Sequence, residues 1–104
     1  MSWYHYIAYF FAGAFIANSV PHYVMGTTGR RFPTPFSVPP GTGESSAMTN
    51  VLWGMGNFFV GYLLLCVGTF SHSLGLSLAA FAVGAGAMSI MLSKHFGSVY
   101  SPLE

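Results

Sequence analysis

Polarity along this chain changes segment by segment. Three long apolar runs cover residues 3–25, 47–68 and 74–93, and a polar, proline-rich interval fills 26–46. Each run is about as long as a helix must be to cross a hydrocarbon core of roughly 30 Å at about 1.5 Å per residue. The pattern predicts an all-α integral membrane protein. It would have three transmembrane helices and an ordered Pro-rich loop between the first and second.

Within the runs, the polar and small residues are periodic. In the second, Asn50, Gly54, Asn57 and Gly61 recur at steps of four, three and four, which puts them on one helical face. Lipid penalises an amide, and small residues let a second backbone come close, so this face is expected to meet protein or water. In the third, Gly75, Ala79, Ala82, Gly86, Ser89 and Ser93 form a similar small-residue seam. In the first, Asn18 and His22 stand one turn apart around Pro21. Pro21 is expected to kink or end that helix, with Asn18 and His22 satisfying the backbone groups it frees.

The interval at 26–46 carries Arg30 and Arg31, then Phe32-Pro-Thr-Pro-Phe36 and Val38-Pro-Pro-Gly41. Closely spaced prolines hold the backbone extended and exclude helix. Phe32 and Phe36 suit neither water nor a free linker, so both rings are expected to pack on the helices or in the headgroups. Ser45 and Ser46 are suitable N-caps for the second helix. The turn at 69–74, with His72 in it, is short enough to make the second and third helices antiparallel neighbours.

Composition supports a membrane setting. Charged residues are 5% of the chain, against roughly 25% in soluble domains. Trp3, Tyr4 and Tyr6 at the start of the first run match interfacial anchors. No Lys or Arg precedes the apolar run, which argues against a signal-peptide reading. Arg30, Arg31 and Lys94 fall on one side of a three-span plan, so that side is expected to be cytoplasmic, with the N-terminus outside. A bacterial inner membrane is the expected location. With one cysteine, Cys66, no intrachain disulfide forms. There is no basic stripe, so no nucleic-acid partner is expected.

Candidate chemistry is sparse. No Asp, Glu, Lys or Arg lies inside a run, which argues against a carboxylate proton relay. Asn18, His22, Asn50 and Asn57 form a candidate polar cluster, with interhelical hydrogen bonding as the plainer role. Arg30 and Arg31 are a candidate anion or lipid-headgroup contact. Gly54, Gly61, Gly75, Ala79, Ala82, Gly86 and Ser89 are the expected packing seams. The histidines pair by depth, His5 with His72 and His22 with His95, and such pairs can hold haem in membranes. Six methionines and Cys66 could serve Cu(I). The three-span plan resembles that of the copper-transporter family, but its MxxxM is absent: Met48 and Met55 are seven apart, Met88 and Met91 three. No enzyme signature or cofactor motif is visible.

The run Ser19-Val-Pro-His22, Arg30-Arg-Phe-Pro-Thr-Pro-Phe36, Pro39-Pro-Gly41 and Asn50-Val-Leu-Trp-Gly54 resembles small bacterial multi-span membrane proteins of unassigned function. The resemblance spans about half the chain and implies no activity. The expected role is assembly, with itself or as an accessory subunit of a membrane complex. The alternatives are a small channel or transporter lined by Asn50, Asn57 and the glycine faces, or a haem-binding membrane anchor.

Overall fold

The computed structural model describes residues 3–68 and 74–101. The predicted turn with His72 lies outside them, as do Ser2, Pro102 and Glu104. Three helices are present: α1 (Tyr4–Thr27), α2 (Ala47–Gly68) and α3 (Leu74–Tyr100). There is no strand among the described residues beyond a single antiparallel bridge between Phe32 and Ser45.

The helix ends follow from local chemistry. Ser46 caps α2: its Oγ accepts the Thr49 amide at 3.1 Å. α1 ends in a Schellman motif, with Gly29 N–H bonding Gly26 O at 3.0 Å and Arg30 N–H bonding Met25 O at 2.9 Å. That motif needs a left-handed residue, and Gly29 supplies it at φ 75°. Pro21 does not end α1, which runs on for six residues to Thr27. Nor do Asn18 and His22 serve the backbone around it; their side chains reach α2 instead. α3 also outruns its apolar segment, continuing from Ser93 to Tyr100, because no proline interrupts it before residue 102.

α1 is the hub. It packs against both α2 and α3, and α2 and α3 do not pack on each other among the described residues. The expectation that a short turn makes α2 and α3 neighbours is therefore corrected. Chain brevity limits separation at one end only, and glycine at the α1 contacts decides the rest. Gly54 of α2 lies against the backbone of Ser19 and Tyr23, and Gly61 against Ala12 and Ile16. On the α3 side, Gly13 meets the backbone of Phe81 and Ala85, and Gly84 meets that of Phe10. A side chain at any of these four positions would drive the helices apart.

The predicted face of α2 is the face it buries: Asn50, Gly54, Asn57 and Gly61 are all buried. The predicted seam of α3 is not. Its inward face is Ser77, Phe81, Gly84 and Ala85, while Gly75, Ala79, Ala82, Gly86, Ser89 and Ser93 are exposed. Nine residues, two and a half turns, separate Gly75 from Gly84 and Ser77 from Gly86, so the two faces are opposite. α3 carries small residues on both, and spacing alone cannot tell which one the chain itself uses.

α2 and α3 are long and apolar enough to cross a membrane, and only 22% and 11% of their apolar windows are buried. Such low burial is unlike the core helix of a soluble domain, which is mostly buried. α1 has the length, 24 residues, but Asn18, Ser19, Pro21 and His22 dilute its apolarity.

Candidate functional site

The proline-rich loop folds back over one end of the helices. Phe32 and Ser45 exchange backbone hydrogen bonds at 3.2 and 3.0 Å, closing the loop at its base. Thr34 organises the interior. Its carbonyl accepts from the Ser37 amide, the Ser37 hydroxyl and the Gly41 amide, and its hydroxyl shares a 2.6 Å bond with Ser45 Oγ. Thr34 is 1% exposed, unusual for a residue between two prolines in a linker. Two side chains from the end of α3 hold the outer part: His95 Nε2 donates to Gly41 O at 2.7 Å, and Tyr100 donates to Glu44 Oε2 at 2.6 Å.

Within the loop the two phenylalanines differ. Phe32 is 5% exposed and sits among His22, Phe96 and Tyr100. Phe36 remains 65% exposed and touches the edge of Trp53. Both rings pack on the helices, Phe32 fully and Phe36 by one edge only. Extended backbone alternates side chains, but Phe32 and Phe36 are four apart, and the turn at 34–37 breaks the alternation.

Beneath the loop, the four predicted polar residues meet as two pairs across the α1–α2 contact. Asn18 Nδ2 donates to Asn57 Oδ1 at 2.9 Å, and Asn57 Nδ2 donates to Trp53 O at 2.8 Å. His22 Nδ1 lies 2.8 Å from Asn50 Oδ1. Asn50 is fully buried, and its Nδ2 donates to the carbonyls of Phe32, Ser46 and Ser45 at 2.9, 3.0 and 3.3 Å. With Nδ2 the donor, Oδ1 is the acceptor, so His22 carries its proton on Nδ1. One asparagine thus ties α1, the loop and the start of α2 together. The sequence placed these residues on common faces; that Asn50 also clamps the loop had no signal in the spacing.

A chamber of about 170 Å³ lies next to this network, between loop and helices. His22, Asn18, Trp53, His95 and Phe96 line it, with Pro33, Thr34, Pro35 and Gly41 on the loop side. The histidine pair His22 and His95 does not fit haem. Asn50 holds one nitrogen of His22, the Gly41 carbonyl holds Nε2 of His95, and the chamber is far smaller than a macrocycle. Among the described residues no three His, Cys, Asp or Glu side chains gather as metal ligands. Cys66 is exposed on α2. Arg30 and Arg31 are exposed on the loop, where neither lines the chamber.

No known protein family, curated protein or solved structure matches this chain.

Proposed function

We infer that this is a three-helix integral membrane protein that acts by helix–helix assembly, as a homo-oligomer or as an accessory subunit of a membrane complex. One observation carries the reading: α3 has a complete small-residue face that the described residues leave uncovered. A Cβ added to Gly75 or Gly86 would meet nothing within 4 Å. In lipid, where apolar surface gives little drive to associate, such a face favours close approach by another helix. Large apolar side chains flank it: Leu76, Leu78, Val83 and Ile90 are exposed.

Other features agree with this setting. The longest dimension, 43 Å, matches a bilayer with its headgroups, about 40–45 Å. Trp3 and Tyr4 lie exposed at one end, where aromatic anchors belong. α1 would be the third span, tolerating its polar residues because α2 and the loop take up their hydrogen bonds. With the N-terminus outside, the loop would face the cytoplasm of a bacterial inner membrane, and Arg30 and Arg31 would reach anionic headgroups. The channel reading has less support. The Asn50–Gly61 face that would line a path is packed against α1, with Asn57 3% exposed.

Two leucine substitutions test the assembly reading. Gly86→Leu should leave the fold intact, since the site is open, and should lower the particle mass in mild detergent. Gly84→Leu should unfold the chain, because that position meets the Phe10 backbone. A Gly86→Leu protein with unchanged mass would place the outward face against lipid and remove the argument.

A further inference from the structure

We propose that the chamber beneath the proline loop binds a small phenolic molecule, its hydroxyl donating to Nε2 of His22. The inference begins with the histidine. His22 is 3% exposed, boxed by Phe32, Trp53 and Phe96 at ring-centroid distances of 5.5, 6.5 and 6.2 Å. Asn50 Oδ1 accepts the hydrogen bond from its Nδ1–H, which in a neutral ring leaves Nε2 as a lone-pair acceptor. Nε2 makes no hydrogen bond to the described residues. His22 lines the chamber and Asn50 does not, so the imidazole stands between the clamp and the chamber. Nε2 is not among the buried side-chain atoms that lack a partner, so a molecule in the chamber can reach it.

The rest of the wall narrows the ligand. Asn18 lines the same chamber, and its amide nitrogen is committed to Asn57, leaving its oxygen as a second acceptor. No Lys, Arg, Asp or Glu lines it, so nothing there selects for an ion. Trp53, Phe96, Pro33 and Pro35 offer flat apolar surfaces. The ligand is therefore a neutral donor on a flat apolar body. About 170 Å³ equals the liquid volume of about five or six waters, or room for one hydroxylated six-membered ring.

Two sources share that chemistry: a free phenol, and the headgroup of a membrane quinol. Phe96 is also a wall of an open apolar groove between α1 and α3, lined by Ala17, Val20 and Leu92. A quinol could lay its chain there.

The test uses the full chain, labelled with ¹⁵N-histidine, in mild detergent. The His22 Nε2 resonance is identified by its loss in His22→Gln, or, should that variant not fold, by its displacement in Phe96→Leu. Phenol should shift the resonance saturably. Anisole, the same ring without a donor, should not, and Phe96→Leu should weaken the phenol response severalfold. A quinol with a decyl chain separates the sources. Saturation at lower concentration than its partition explains, with the advantage lost in Leu92→Trp, identifies a membrane quinol. Equal responses to both probes identify a free phenol. The proposal is overturned if neither phenol nor the quinol moves the resonance, leaving water as the occupant. It is also overturned if anisole acts as phenol does, or if Nε2 carries a proton before any ligand is added.

Discussion

Replacing Asn50 by leucine should release the proline loop while leaving the helices associated. The side chain makes two short bonds to loop and cap carbonyls, Phe32 O at 2.9 Å and Ser46 O at 3.0 Å, and a longer one to Ser45 O. Each of those carbonyls keeps a backbone partner, so none is orphaned. His22 Nδ1–H loses its acceptor. The two short bonds contribute about 1 kcal/mol each and the stranded donor costs about 1–3, for a total of roughly 3–5 kcal/mol. About 1 kcal/mol of this, the Phe32 bond, acts on the loop, because Ser46 belongs to the cap of α2 itself; that is equivalent to roughly a fivefold rise in its open population. Trypsin at Arg30 and Arg31 reads that population when opening is fast relative to cleavage. Asn57→Leu is the control, since it breaks the Asn18 pair and touches no loop bond. Cleavage within twofold of the parent in Asn50→Leu would refute the clamp. Equal acceleration in Asn57→Leu would show that the loop takes its stability from the bundle as a whole.

Two further outcomes follow from the same geometry. Phe32→Ala should destabilise the protein by about 3 kcal/mol and speed the same cleavage, whereas Phe36→Ala, at a ring mostly exposed, should change the melting temperature little. With Cys66 first replaced by serine, cysteines at Ser2 and Ser98 should label from opposite sides of the membrane, Ser2 from outside; labelling of both from one side would remove a span, and labelling with the sides exchanged would reverse the topology.

How much of this was legible depends on what each residue answers to. The α2 face was readable because Asn50, Gly54, Asn57 and Gly61 combine two penalties, amides and missing side chains, that lipid and packing both act on. The α3 face was not, because small residues there record only that some helix comes close. Gly84 and Gly86 are chemically identical and lie on different sides. That the loop packs on the helices was readable from its prolines and aromatics, but the bonds that attach it were not. Asn50 reaches back to Phe32, eighteen positions earlier, and His95 and Tyr100 reach Gly41 and Glu44 from more than fifty positions away. Periodicity carries no trace of contacts at that separation.

The choice of hub follows from the same physics. α1 is the most polar of the three helices, with Asn18, Ser19, Pro21 and His22 close together, and it packs against both others. Alone in lipid, the Asn18 and His22 side chains would lack partners. Asn57 and Asn50 supply two, and the Ile16 carbonyl takes the Ser19 hydroxyl at 2.6 Å. α2 and α3 can lie outside because their outward faces are mainly apolar. The loop then sits over the polar end of the hub, since its base bonds are made to the residue, Asn50, that already satisfies His22. Fold and candidate site are therefore one arrangement: the helix least suited to lipid is placed inside, and the chamber forms where its imidazole meets the loop.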